Sequence, residues 1–181
     1  MVYTCGLRPL EGRCLKKQNI DLSSGEVVIE CSKERKSRIV VMSDDMTALA
    51  SRYAEHLQIA VPESEYFFPK EKSTIWSSSH FQSYFMRAFR LSHPEIPEEF
   101  LPRVRVYDLR HRFATAAIHR WLEQGTNLAS RLPYLQMYMG HASLSSTLYY
   151  VHMLPEHLVK AAGVDWESLG KVFPGAELWQ E

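Results

Sequence analysis

The sequence predicts an α+β fold that is mainly α-helical, with a small antiparallel β-hairpin near the N-terminus. Two runs rich in β-branched residues, GEVVIEC and SRIVVM, lie within residues 25–42 and indicate the hairpin. Apolar residues at helical spacing follow in residues 44–57, 77–91 and 108–124. The chain has 181 residues, of which 45% are hydrophobic and 23% charged. That length and composition suit one globular domain with its own core.

The first predicted element is a short helix within residues 4–17. Gly6 suits a turn ahead of it, and Pro9 suits its first turn, where the missing N–H of proline is harmless. Arg8 and Glu11 are three residues apart, so they share a helical face and are close enough to interact.

Two helices joined by a connection are predicted in the middle of the chain. The helix at 44–57 is capped by Asp44 or Ser43, and its predicted apolar stripe is Met46, Leu49, Ala50, Tyr53 and Leu57. Residues 58–75 form the connection, which carries an aromatic core plug of Tyr66, Phe67 and Phe68. The helix at 77–91 is predicted to bury Phe81, Tyr84, Phe85, Ala88 and Phe89. Residues 92–103 are predicted as a loop.

The C-terminal half is predicted to be helical. One helix runs from Asp108, its N-cap, to about Gln124, and its predicted core stripe is Phe113, Ala117 and Trp121. The next helix is predicted to begin at Pro133 and to end at Gly140. Residues 143–147 then open a helix that carries Tyr149 and Tyr150, and residues 153–181 form a helical tail.

Charge and cysteine content bound the class of protein. The formal net charge is zero, but residues 1–52 and 100–152 are net positive while the remainder is net negative. The sequence has no apolar run of membrane-spanning length. Its three cysteines are an odd number without metal-ligand spacing, which favours a reduced cytoplasmic compartment.

Three residue types in the stretch 107–152 suit phosphate chemistry. The guanidinium of Arg110 and the imidazole of His141 can donate charge-assisted hydrogen bonds to phosphate oxygens. A tyrosine hydroxyl, offered by Tyr150, can attack a phosphate.

Four boxes resemble the catalytic domain of the tyrosine recombinases, the phage integrase family. They are TGLRxxE at the first arginine, HxLRHxFAT, LGHxS and TxxYxH. This chain has TCGLRPLE, YDLRHRFAT, MGHASL and TLYYVH at the corresponding positions. The resemblance covers nearly the whole chain and implies the tyrosine-recombinase catalytic fold.

The resemblance implies a set of catalytic residues. The residues that match catalytic positions of the family, in the boxes or at the hairpin tip, are Arg8, Lys33, Tyr107, Arg110, His141 and Tyr150. Glu11 and His152 match supporting positions. Lys36 lies close enough to Lys33 to compete for the role of the hairpin lysine. Successive helical residues point about 100° apart, and the family spacing selects Tyr150 over Tyr149, which is then expected to pack against the protein.

The implied reaction is DNA cleavage and rejoining through a 3′-phosphotyrosyl intermediate, without metal or other cofactor. The family usually has His or Lys where this chain has Tyr107. A phenol donates a hydrogen bond but is a poor base near neutrality, so slower chemistry is expected.

Double-stranded DNA is the implied partner, with self-association on DNA into a tetrameric synapse and no membrane partner. Further candidates for contacts with the DNA are Lys36, Arg38, His80, Arg87 and Arg112. The expected location is the cytoplasm, in association with the nucleoid. The tail at 153–181 is expected to dock either on a neighbouring protomer or on its own domain.

The extent of the resemblance leaves alternatives open. Residues 1–152 match the catalytic domain, whereas the family's N-terminal DNA-clamp domain and the first helices of the catalytic domain have no counterpart here. The sequence-based expectation is therefore a fragment, a shortened gene or a remnant. An active recombinase leads, followed by an impaired or inactive DNA-binding remnant. A type IB topoisomerase-like enzyme shares the chemistry, but the Gly-His-x-Ser box favours recombinases.

Overall fold

The computed structural model of the chain describes residues 1–30, 37–71, 74–152 and 154. The described part is α+β, as predicted, with mainly helical structure and small antiparallel β-sheets. It divides into two compact units, one of Met1–Ile29 with Ile39–Arg110 and the other of Glu30–Arg38 with His111–Glu181. The division falls inside one helix, between Arg110 and His111.

The elements follow one another along the chain with short connections. The α-helices in the described part are α1 Pro9–Arg13, α2 Asp44–Ala60, α3 Ser78–Leu91, α4 Val106–Glu123, α5 Leu128–Met139 and α6 Ser145–His152. The strands are β1 Ile20–Asp21, β2 Glu26–Ile29, β3 Arg38–Val41, β4 Pro69–Glu71 and β5 Thr74–Ile75. Short 3₁₀ turns lie at Lys17–Asn19 and Glu98–Phe100. Within the described residues, none of the helices combines the length and apolarity that crossing a membrane requires.

The predicted hairpin is part of a three-stranded sheet in the order β1-β2-β3. β1 pairs antiparallel with β2, with Ile20 opposite Val27. In β2 the side chains of Val27 and Ile29 are buried while their neighbours are exposed, which is the alternation expected of a sheet with one covered face. β1 has only two residues, too few to show a periodic pattern, and the sequence did not predict it.

The two middle helices bury less than their apolar patterns predict. α2 is capped by Ser43, whose hydroxyl accepts from the backbone N–H of Met46 at 3.4 Å. It buries Ala50 and Leu57, which lie two turns apart on one narrow line, whereas Leu49 and Tyr53 are exposed. The predicted stripe is therefore wrong at these last two positions.

α3 begins where predicted, with Ser77 as its N-cap. None of its residues is fully buried, and the prediction fails for Ala88 and for Tyr84, which is 56% exposed. The ring of Tyr84 lies edge-on against Trp76 at 4.9 Å between centroids. Its apolar side is therefore partly covered by Trp76 and not by the core.

The connection before α3 contains the predicted aromatic plug and a hairpin that was not predicted. Phe67 is buried, and its ring packs against Tyr53 and Phe68 at 5.4 and 4.9 Å between centroids. β4 and β5 pair antiparallel after it. The strand Pro69–Glu71 has none of the β-branched residues that usually mark a strand.

The core of the second unit is formed by α4, α5 and α6. Its buried residues are Ala114, Ile118, Leu122, Leu128, Leu132, Leu135, Met139, Leu148, Tyr150, Val151 and Leu154. The predicted α4 stripe is displaced by one residue, because Phe113, Ala117 and Trp121 are only partly buried against this core. Both lines have apolar residues at four-residue spacing, so the pattern alone did not distinguish them.

Two helix starts differ from the predictions. Asp108 lies in the first turn of α4, where its carboxylate accepts from the backbone N–H of Arg105 at 2.7 Å, and it is not the N-cap. Pro133 lies inside α5 and does not begin it. Asn127 caps α5 instead, because its side-chain oxygen accepts from the backbone N–H of Ala129 at 2.8 Å. The predicted ends at Gly125 and Gly140 are confirmed, and both glycines have positive φ.

Replacing Asn127 tests where α5 starts. We expect Asn127→Ala to lower the free energy of unfolding by about 1 kcal/mol, because it leaves an N-terminal N–H of the helix without its acceptor. Urea unfolding followed by circular dichroism measures the change. Asn127→Asp keeps the acceptor and should stay close to the wild type. Equal stability of all three proteins would mean that Asn127 does not cap this helix.

Candidate active site

The first unit holds Arg8 at the start of α1. Pro9 occupies the first helical position, and the carboxylate of Glu11 accepts from the backbone N–H of Arg8 at 2.7 Å and from its Nη1 at 2.9 Å. The predicted Arg8–Glu11 interaction is confirmed. One carboxylate therefore caps the helix and holds the guanidinium, which remains partly exposed.

Arg110 is anchored to the backbone just ahead of Arg8. Its side chain is 0% exposed, and Nη1 donates to the carbonyl oxygen of Gly6 at 2.5 Å. Gly6 has a φ of +63°, a conformation that glycine adopts at little cost. Gly6 thus accepts the bond from Arg110 and lies two residues before Arg8, so one short stretch of backbone involves both predicted catalytic arginines.

A basic cleft of about 1030 Å³ opens beside Arg8 in the same unit. Tyr107, which is 41% exposed, lies on its wall. The lining also includes three further arginines, Arg13, Arg103 and Arg105. Nη1 of Arg13 donates to the carbonyl of Trp76, and Arg105 pairs with Asp108 at 3.2 Å. The cleft concentrates guanidinium groups where a polyanion could bind.

In the second unit, the end of α5 and the side chain of Thr147 fix His141. Gly140 ends α5 in the left-handed conformation, and the backbone N–H of His141 donates to the carbonyl of Gln136 at 3.0 Å. Nδ1 of His141 lies 2.8 Å from Oγ1 of Thr147, which is fully buried. Sequence reasoning did not single out Thr147 as a site residue, although it is the threonine of the TxxYxH box.

Tyr150 lies between two imidazole rings of the same unit. Its ring is stacked on His141 at 5.8 Å between centroids and is tilted against His111 at 5.4 Å. Tyr150 is 2% exposed, whereas Tyr149 is 51% exposed. The ring of Tyr149 packs against the protein on one side, 6.0 Å from the ring of Tyr150 and 6.3 Å from that of His111. Its other side faces solvent. His111 was also missed as a neighbour of Tyr150, although it directly follows Arg110 in the motif.

The other predicted site residues are dispersed or undescribed. Lys33 and Lys36 lie outside the described residues, as does the side chain of His152. His80 is exposed at the start of α3, where its Nδ1 lies 2.9 Å from the hydroxyl of Ser77. Arg87 and Arg112 are exposed on α3 and α4, and Nε of Arg38 donates to the carbonyl of Tyr138. The roles of all these residues stay predictions.

The sequence model of the Phage integrase family matches residues 1–157. The chain belongs to this family. It is 32% identical over 165 residues to a putative integrase/recombinase, y4rE, of Sinorhizobium fredii, covering 90% of this chain and 52% of that protein. It is 30% identical to the tyrosine recombinase XerC of Chlamydia muridarum, covering 84% of this chain and 44% of that protein.

A solved structure shows the same fold. The XerH site-specific recombinase bound to a palindromic difH substrate, in a post-cleavage complex, superposes with a TM-score of 0.65. The sequence identity is 22%, and the match covers 92% of this chain and 44% of that one. The chain thus spans about half the length, or less, of the proteins it matches here.

The hydrogen bond between Thr147 and His141 can be tested without DNA. We expect Thr147→Val to leave Nδ1 of His141 without this partner, so the ¹⁵N resonances of its imidazole should shift toward a mixture of tautomers. Stability should fall by about 1 kcal/mol. Thr147→Ser keeps the hydroxyl and should retain the wild-type resonances. Identical His141 resonances in all three proteins would contradict the bond.

Proposed function

We propose that the chain is the catalytic domain of a site-specific DNA recombinase that cleaves and rejoins DNA through a 3′-phosphotyrosyl intermediate. The observation that carries the proposal is the position of Tyr150, stacked on His141 within a chain of the phage integrase family. Residues 1–152 would form the catalytic domain, and 153–181 a tail.

The proposed reaction exchanges one phosphodiester for another. The hydroxyl of Tyr150 gives up its proton to solvent as its oxygen attacks the scissile phosphorus. The bond from phosphorus to the 5′ oxygen breaks, and the leaving oxygen takes a proton from Lys33. Arg8 and Arg110 bind the non-bridging oxygens and stabilise the charge that develops on them. Attack by a 5′-hydroxyl of another strand releases Tyr150. Because the number of phosphodiesters is conserved, the reaction needs no external energy source.

The hydrogen bonds of the site residues support these roles. The carboxylate of Glu11 fixes the guanidinium of Arg8 by a charge-assisted bond, which reduces the entropy lost when a phosphate binds. The bond between Nδ1 of His141 and Thr147 leaves Nε2 as the ring nitrogen that would donate to a phosphate oxygen. Tyr149 carries the competing hydroxyl, but its ring lies 6.3 Å from His111 and is not stacked on His141.

Double-stranded DNA is the proposed substrate, and tetramer formation on it the proposed assembly. The XerH structure that shares this fold contains its DNA substrate. The arginine-lined cleft beside Arg8 suits a phosphate backbone. Location at the nucleoid and docking of the tail at 153–181 on a neighbouring protomer complete the proposal.

Covalent trapping tests the chemistry and identifies the nucleophile. Nicked duplexes are taken from the ends of the element that encodes the protein. They are incubated with the chain alone, and with a fusion of the chain to the part of a curated relative that lies outside the matched region. We expect an SDS-resistant protein–DNA band, because the nick lets the short strand diffuse away after cleavage. The band should vanish in Tyr150→Phe and persist in Tyr149→Phe.

The reverse dependence, with loss of the band in Tyr149→Phe only, would assign the nucleophile to Tyr149. If the joined protein binds these duplexes and yields no band, the recombinase proposal fails and a DNA-binding remnant remains. Ring-to-ring packing of Tyr150 does not need its hydroxyl, so circular dichroism should confirm that Tyr150→Phe is folded.

Tyr107 stands where the family usually has His or Lys, so replacing it with His is predicted to increase activity. We expect Tyr107→His to raise the cleavage rate constant by about tenfold, because imidazole is a better proton acceptor than a phenol near neutrality. The rate should then titrate with an inflection near about pH 6.5. Single-turnover cleavage of the nicked duplex between pH 5.5 and 8.5 measures both effects. Tyr107→Phe, which lacks any such group, is the matched control; a rate no higher in Tyr107→His than in this control would show that proton transfer at position 107 does not limit cleavage.

A further inference from the structure

The guanidinium of Arg38 lies at the C-terminal end of α5. Arg38 is the first residue of β3, and its Nε donates to the carbonyl of Tyr138 at 2.8 Å. The carbonyls in the last turn of a helix have no partner within the helix. Those of Gln136 and Met137 accept from the backbone N–H groups of His141 and Gly140. Arg38 thus supplies a donor to the next carbonyl of the same turn, and its positive charge complements the helix dipole.

The same guanidinium packs directly on Gly140. A Cβ built on Gly140 would lie 2.9 Å from Nη1 of Arg38 and 3.2 Å from its Cζ, both closer than ordinary van der Waals contact. The φ of +65° at this residue also favours glycine. The backbone conformation of Gly140 favours glycine, and a side chain there would also have to displace the Arg38 guanidinium.

The end of α5 fixes the backbone position of His141. Its N–H bonds to the carbonyl of Gln136 at 3.0 Å, and its own carbonyl accepts from Nε2 of Gln136 at 3.4 Å. Its ring is held separately, by Thr147 and by the stack on Tyr150. A shift in the last turn of α5 would move the His141 backbone while the ring stays bound to α6. The backbone bond to α5 and the ring contacts with α6 can therefore both be kept only when the end of α5 holds its present position.

We propose that Arg38 is a positioning residue that sets the placement of His141 by bonding the end of α5 and packing on Gly140. This inference deepens the recombinase function proposed above and rests on it. Arg38 is also a candidate for DNA contact, and that role competes with this one. A lysine could not replace Arg38, since a single ammonium group cannot bond the Tyr138 carbonyl and also pack against Gly140.

A double-mutant cycle on the cleavage rate constant tests the proposal. Single-turnover cleavage of the nicked duplex is measured at saturating protein for the wild type, Arg38→Gln, His141→Ala and the double variant. We expect Arg38→Gln to slow cleavage by about 10- to 100-fold, because small misplacements of a catalytic group have effects of this size. In the His141→Ala background the same change should have less than about a twofold effect, since the residue it positions is gone.

Two further measurements separate positioning from DNA contact and from misfolding. Duplex affinity and its salt dependence should be unchanged in Arg38→Gln, as in Arg52→Gln, which alters an exposed arginine on α2. The ¹⁵N resonances of the His141 imidazole should shift in Arg38→Gln and not in Arg52→Gln. If Arg38→Gln does not fold, Arg38→Lys takes its place in the cycle, because it retains the charge and lacks the guanidinium that reaches both the Tyr138 carbonyl and Gly140.

The outcomes distinguish this inference from the function on which it rests. Equal slowing by Arg38→Gln in both backgrounds, or weaker DNA binding with an unchanged rate at saturation, would overturn the positioning role. Absence of cleavage by the wild type on DNA that it binds would overturn the proposed function instead. In that case the His141 resonances still decide whether Arg38 places the histidine: a shift supports it and unchanged resonances overturn it.

Discussion

The burial of the Arg110 guanidinium is the constraint on which the first unit depends. An ionised group taken out of water is costly unless hydrogen bonds replace its hydration. Arg110 meets this requirement in part with the carbonyl of Gly6, a residue more than a hundred positions earlier in the chain. That bond requires the chain to turn at Gly6, and the turn leads directly into Arg8 and Pro9. The short helix α1 therefore starts where the buried arginine needs an acceptor, and the requirements of stability and of the proposed phosphate chemistry coincide.

The second unit shows the same coincidence at Tyr150. This residue belongs to the hydrophobic core formed by α4, α5 and α6 and also carries the proposed nucleophile. Its ring is covered by two imidazoles, and that of His141 is held in place by its bond to Thr147. A core built this way specifies the orientation of the tyrosine more narrowly than aliphatic neighbours would. The neighbouring Tyr149 contacts only one of these imidazoles, that of His111, and about half of it is exposed.

Local signals in the sequence predicted most of the helices and their ends well. They predicted less well which face of each helix is buried. Caps such as Ser43 and Gly140 act within one turn, so their chemistry is visible in a short stretch of sequence. The line of α4 that enters the core was missed because Ala114 and Ile118 alternate with the equally apolar Phe113 and Ala117. Pro133 suggests a helix start because proline is common there, but the side chain of Asn127 supplies the cap six residues earlier. Thr147, His111 and Arg38 act through partners brought together by folding, and no local pattern indicates such contacts.

The end of α5 illustrates why such long-range contacts matter. A helix commonly carries a basic residue in its last turn, where the positive charge complements the carbonyl ends. The last four residues of α5 include none, so a local inspection finds a glycine cap and no cation. The cation is Arg38, one hundred residues before the Tyr138 whose carbonyl it binds. Because its guanidinium occupies the space that a side chain at position 140 would need, positions 38 and 140 are coupled sterically. The glycine before His141 is then a requirement of the arginine's approach, and the tolerance of either position to substitution depends on the residue at the other.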